Sequence, residues 1–295
     1  MNGIARINPG PGKLWRFLQF PITRIVIAIL ALMIVITVIQ IGAKALHLSP
    51  HSPSGVLVAL ILIVAVITTY QCYVRLIERR LVGEYAFAGA VAEFSRGFLI
   101  GMSLFACTIL VLWLCGAANI STGGGWRALG YPLLGALLAG VIEETLIRGV
   151  LFRIIEESLG SWIALALSAA VFGALHAFNP GATAVSSVAI ALEAGILLAA
   201  VFMYTRRLWM AIGLHAAWNF TEGGIFGASV SGTDAHGLLT STFSGSTWLT
   251  GGKFGPEASI VAIIVCLTAG VIFLWLAGKR HFIAPPVWRR SKTGA

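Results

Sequence analysis

The sequence predicts an all-α protein, a polytopic membrane helical bundle of about eight transmembrane helices. Composition is the first reason. Of 295 residues, 58% are hydrophobic and only 11% charged, with a mean hydropathy of +0.92. Soluble domains carry about 25% charged residues. The second reason is a series of eight apolar segments, each long enough or nearly so to cross a bilayer as a helix: 25–43, 55–74, 97–116, 131–154, 161–178, 184–204, 208–227 and 258–277. The third is a lopsided placement of basic residues.

With the N-terminus taken as cytoplasmic, that side receives Arg6, Lys13, Arg16 and Arg24, then Arg75, Arg79, Arg80 and Arg96. It also receives Arg148, Arg153, Arg206 and Arg207, and the tail's Lys279, Arg280, Arg289, Arg290 and Lys292. These are 17 of the 20 Lys and Arg; only Lys44, Arg127 and Lys253 fall opposite. The asymmetry predicts both termini in the cytoplasm. It also makes the net charge of +9 a topological signal and not a nucleic-acid footprint.

The first apolar run is too long for a signal peptide and has no small-residue cleavage site, so it is read as a retained span. Segment 78–96 is too charged to cross and is expected to lie along the interface as an amphipathic helix. Gly135, Gly140, Gly173, Gly195 and Gly213 suit close helix approach in lipid. Trp15, Trp126, Trp162, Trp209, Trp248 and Trp288 fall near span ends, as interfacial anchors do. Cys72, Cys107, Cys115 and Cys266 lack paired spacing and are read as packing residues. Three regions follow: 1–129 with three spans, a core at 130–222, and 223–295 with an extracytoplasmic loop, the last span and a basic tail.

The ionisable groups inside the spans carry the functional reading, because a charge at mid-bilayer costs roughly 2.5–3.5 kcal/mol on insertion scales. Span four holds Glu143, Glu144 and Arg148. Glu144 and Arg148 are four apart and share a helix face, so they are expected to pair in a supporting role, while Glu143 is rotated about 100° away. Span five ends in Phe172 and His176, followed by the helix-ending Asn179-Pro180-Gly181. Span seven places His215 and Asn219 on one face. A structural ion network and a satisfied core histidine are the bland readings of these groups.

Brought together, one glutamate, two histidines and one asparagine resemble a hydrolytic centre. Glu143 with His176 would activate water, and His215 and Asn219 would hold the oxyanion. No serine sits in a GxSxG context and no cysteine neighbours these positions, so a covalent nucleophile is not indicated. Two histidines and a glutamate can equally make a catalytic zinc site with one open position. Glu143, His176 and His215 are therefore also the candidate metal ligands, and zinc-dependent and metal-free chemistry both stand.

These residues resemble a known pattern. EETLIR (143–148) looks like the EExxxR motif of the CPBP family, the CAAX protease and bacteriocin-processing membrane proteins. FGALH (172–176) matches its FxxxH motif and HAAWN (215–219) its HxxxN motif, in the same order, over about residues 130–222. The resemblance implies an intramembrane endopeptidase acting on a membrane-associated, hydrophobic or lipidated (CAAX-type) peptide. By motif, Glu143 and His176 would activate water, His215 and Asn219 would stabilise the oxyanion, and Glu144 and Arg148 would support them. The plasma membrane of a bacterium is the expected location.

Glu193, in mid-span, is a candidate partner of the site or a hydrogen-bonded packing residue. Glu222, near a span end, is expected to face water. The Gly-, Ser- and Thr-rich loop 228–257 is read as a connection or a lid. The rival functions are a non-proteolytic scaffold or bacteriocin-immunity protein, and a proton-coupled transporter using Glu143, Glu144 and Glu193. The absence of an internal repeat counts against the transporter.

Overall fold

The computed structural model describes residues 12–50, 52–126 and 129–289. Arg6, Arg127, Arg290 and Lys292, all counted above, lie outside them. Twelve α-helices occur among the described residues: α1 (Lys13–Leu18), α2 (Pro21–Ala45), α3 (Pro53–Tyr73), α4 (Ala90–Leu114), α5 (Gly130–Glu144), α6 (Arg153–Leu159), α7 (Ser161–Leu175), α8 (Ala184–Ile190), α9 (Ile196–Thr205), α10 (Trp209–Asn219), α11 (Thr247–Thr250) and α12 (Ile260–Lys279). Two short strands, β1 (Ala118–Thr122) and β2 (Leu239–Phe243), pair antiparallel with Ala118 opposite Phe243.

Among the described residues, six helices are long and apolar enough to cross a membrane: Pro21–Ala45, Pro53–Glu78, Ala90–Leu114, Ser161–Phe178, Ala184–Thr205 and Ile260–Lys279. The protein is thus a polytopic helical bundle and an integral membrane protein. The two remaining expected spans, 131–154 and 208–227, are helical but hold the charged groups. α10 is buried along almost its whole length, an inner helix wrapped by the others.

Glycine sets how closely those helices approach. A Cβ at Gly97 or Gly101 of α4 would strike the carbonyls of Met210 and Leu214, and one at Gly213 of α10 would strike that of Phe94. Gly140 of α5 backs onto Ile212 and Ala216 from another side. α10 is therefore gripped between α4 and α5 through backbone contact, the packing that replaces a hydrophobic drive in lipid. Gly173 and Gly195 likewise seat α7 against the α8–α9 segment. Gly135 departs from expectation: a Cβ there would meet nothing, and the residue lines a cavity instead.

Four helices widen into π-helical turns: Val74–Glu78 after α3, Thr145–Phe152 between α5 and α6, Ala191–Gly195 between α8 and α9, and Phe220–Ile225 after α10. Such turns concentrate at functional sites, because they leave carbonyls free for other partners. Here Gly149 O accepts from Tyr70 Oη and Arg153 Nε, while Gly195 O accepts from Arg148 Nη2.

The segment 78–96 is not an interfacial helix. Residues 79–89 form a loop with Arg79 in the left-handed region, φ 50°, and α4 starts at Ala90. Its charges turn inward. Glu78 binds Arg24, Arg80 and Arg153 at 2.6–2.7 Å, and Glu157 binds Arg24 and Arg153 at 2.6 and 2.8 Å. This ion network ties the start of α2, the end of α3 and α6 together, and pairing holds the Glu157 carboxyl below the usual range despite burial. Of the cysteines, Cys266 is buried and the other three lie exposed on outer faces, all unpaired.

Candidate active site

Glu143 and Glu144 close α5, and the π-turn that follows swings Arg148 back beneath them. Arg148 is wholly buried and bonds Glu144 Oε1 at 2.8 Å. Its other arm reaches the carbonyls of Ala194 and Gly195 at 3.2 and 3.1 Å. Its guanidinium lies 4.7 Å from the Phe172 ring centre, a cation–π contact strengthened by the absence of water. One side chain thereby fixes α5, α7 and the α8–α9 turn.

Glu144 passes that order on to α10. Its Oε1 lies 3.0 Å from His215 Nδ1, so Nδ1 carries the proton and Nε2 is turned outward. Nε2 is 3.9 Å from Glu143 Oε2. The two adjacent glutamates thus meet opposite nitrogens of one ring. Glu143 differs from Glu144 in being 35% exposed along its side chain, yet its Oε2 is buried without a hydrogen-bond partner. It is a carboxylate with a free acceptor beside a histidine.

Phe172 joins the second histidine to the first. Its ring lies 4.6 Å from that of His176 and 6.1 Å, edge-on, from that of His215. His176 Nδ1 donates to Phe172 O at 2.8 Å, since a carbonyl can only accept; in the neutral ring Nε2 is then the free acceptor. His176, His215 and Asn219 line one small cavity of about 20 Å³, room for a single water molecule.

Glu143 does not line that cavity, and the histidine nearest to it is His215. No direct Glu143–His176 pairing of the kind expected from the sequence is formed: His176 Nδ1 is tied to Phe172 O of its own helix, and His176 lines a cavity that Glu143 does not. Glu193 does line the cavity and is 2% exposed.

Sequence reasoning placed Glu222 in water, and that is corrected: Glu222 is fully buried. It follows Asn219 on the inward face, within the π-turn, where its carboxyl meets that of Glu257. Glu257, in the turn before α12, was missed altogether. It lines the same cavity and interacts electrostatically with His176. Burial pushes its carboxyl up, with His176 pulling the other way. Neither Glu222 oxygen has a donor from another side chain among the described residues, and two buried carboxyls side by side are expected to hold a proton between them. Nothing in the string GGKFGPEAS marks Glu257 as buried; only the fold reveals it. Trp218, also missed, lines the cavity with its Nε1–H unpaired.

A catalytic zinc needs about three converging ligands and an open position. Among the described residues no three His, Cys, Asp or Glu side chains are grouped to hold a metal ion. Glu143, His176 and His215 are no exception, since the two histidines approach different carboxylates.

Residues 124–221, about a third of the chain, match the family model described as type II CAAX prenyl endopeptidase Rce1-like. The matched stretch contains Glu143, Arg148, His176, His215 and Asn219. That match supports the CPBP/CAAX protease family. It supports, in general terms, a CAAX-type intramembrane endopeptidase, with the lipid bilayer as its surroundings and a peptide as its substrate. No curated protein matches the chain.

Proposed function

We propose that the chain is an intramembrane endopeptidase in which Glu143 activates the attacking water. The observation that carries this is the division of labour between neighbouring carboxylates. Glu144 is wholly buried and held through Oε1 by Arg148 and His215, whereas Glu143 is 35% exposed along its side chain, makes no such pair, and turns its unpartnered Oε2 towards His215 Nε2. The second Glu144 oxygen also lacks a partner but is sealed from solvent. An unpaired carboxylate next to a histidine that lines a one-water cavity is an arrangement suited to general-base hydrolysis.

In this reading Glu143 takes the proton of the water that attacks the scissile carbonyl, with His176 acting on the same water. Asn219 donates through its amide, and His215 through Nε2–H in its imidazolium form, to the oxyanion of the tetrahedral intermediate. The proton then passes to the leaving amine, and the peptide bond breaks. Glu144 and Arg148 act through His215, much as a buried carboxylate orients the histidine of a hydrolytic triad.

The 3.9 Å approach favours a second reading in which the histidines exchange roles: His215 partners Glu143 and His176 binds the oxyanion.

Purified protein incubated with an apolar membrane peptide, prenylated and unprenylated, tests the proposal. Glu143→Gln is expected to abolish cleavage while the bundle stays folded. Undiminished cleavage by that variant would remove Glu143 from the role of base. Loss on chelation that added zinc restores would assign the chemistry to a metal. Complementation of a deletion strain by Glu143→Gln and His176→Ala would favour a scaffold or immunity protein.

A further inference from the structure

Two open cavities meet at one end of the bundle. The larger, about 670 Å³, runs between the first half of α5 and the loop at 230–236. Tyr131, Gly135 and Ala139 form one wall, His236 stands on the other, and Asn219 lies within it. Ala139 is one helical turn before Glu143, so the same face of α5 continues to that carboxylate. Asn219 lines both this cavity and the small one that holds the histidines. The neighbouring cavity, about 530 Å³, lies among α2, α3 and α5 and shares Tyr131 and Gly135 with the first.

The arginines gather at the opposite end. Arg24 and Arg153 pair with Glu78 and Glu157, Arg206 with Glu156, and Arg207 with Glu93. All stand where α2 and α4 begin and where α3, α6 and α9 end. Lys44 and Lys253 are the lysines of the cavity end. The positive-inside rule therefore places the arginine end in the cytoplasm and the cavities on the far side.

We propose that the larger cavity is the substrate's way in, and that it receives an extended polypeptide segment emerging from the bilayer on the extracytoplasmic side. Its walls suit that occupant. Gly135, Ala136, Ala139 and Gly223 present little side chain, which leaves room for a backbone to lie against the helices and reach Asn219. The adjoining apolar cavity takes the substrate's hydrophobic anchor. A segment held in the cytoplasm would meet the arginine end, where a cavity of about 460 Å³ beside the end of α6 and residues 283–289 shares no lining residue with the site. The chemistry of cleavage rests on the protease reading; the side and the route do not.

Cysteine accessibility and cross-linking test this on the full chain with Cys72, Cys107 and Cys115 replaced by serine. In intact cells a membrane-impermeant maleimide is expected to label His236→Cys and to spare Leu81→Cys until the cells are opened. The reverse pattern overturns the proposal. In the Glu143→Gln background, Ala139→Cys is expected to cross-link to a single-span reporter whose apolar segment follows the span on the outside. It should not cross-link to the mirrored reporter with the segment inside. Cross-linking to the mirrored reporter, or to neither, also overturns it. Failure of the wild type to cleave a reporter that still cross-links would sink the protease reading and leave the route standing.

Discussion

Removing Arg148 should cost more stability than removing any other charge near the site. Its side chain is fully buried, and so is that of its partner Glu144. Arg148→Ala would leave that carboxylate buried without its cation, a defect worth about 3–5 kcal/mol. The carbonyls of Ala194 and Gly195 would lose their donor at the same stroke, at about 1–3 kcal/mol for each buried acceptor left unpaired. Against total stabilities of about 5–15 kcal/mol, the variant should sit near the edge of folding. The cause is separable from simple loss of packing. Glu144→Gln with Arg148→Met removes both charges and keeps most of the volume, so the double variant should be more stable than Arg148→Ala alone. Reversible unfolding in mixed micelles, followed by tryptophan fluorescence, measures both. A loss below about 1 kcal/mol in Arg148→Ala, the scale of an exposed pair, would refute the reasoning, as would a double variant no better than the single.

Further outcomes follow from the same geometry. Gly97→Ala and Gly213→Ala should each cost about 1–3 kcal/mol by overpacking, and should lower activity because α10 carries His215 and Asn219; unchanged thermal unfolding would show that α4 and α10 can part cheaply. The raised Glu257 carboxyl stabilises the fold fully below its unfolded value, and that contribution is lost as pH rises through the folded value. Glu257→Gln should therefore flatten the decline of stability towards alkaline pH, and a decline of unchanged slope in unfolding titrations would count against the shared proton. Glu157 has the opposite sign: its lowered carboxyl stabilises above the unfolded value, and the effect fades as pH falls through the folded one. Glu157→Gln should then lose stability at neutral pH and converge with wild type in acid.

The sequence exposes the parts of this fold governed by solvent. Apolar runs read as spans because hydrocarbon tolerates little else, and the Glu144–Arg148 pair follows from helical spacing alone. Segment 78–96 misled because charge density distinguishes a charged face turned to headgroups from one turned to buried partners only when those partners are known. Arg24 and Arg153 lie 54 and 75 residues from Glu78. Glu222 misled because nearness to a span end was read as exposure, although helical spacing sets it seven residues past His215 and three past Asn219, on the face those residues turn inward. Four motif residues drew attention through their chemistry in an apolar setting. Glu257 sits in an ordinary glycine-rich turn, and its approach to His176 comes from tertiary packing that no local pattern encodes.

The central claim is that Glu143, the accessible and unpaired carboxylate of the two, activates water while Glu144 only orients His215. Single-turnover cleavage of an apolar membrane peptide by purified wild type, Glu143→Gln and Glu144→Gln, each verified as folded, tests it most directly. The account predicts no cleavage by Glu143→Gln and slowed but measurable cleavage by Glu144→Gln. Retained cleavage in the first variant together with complete loss in the second would contradict it.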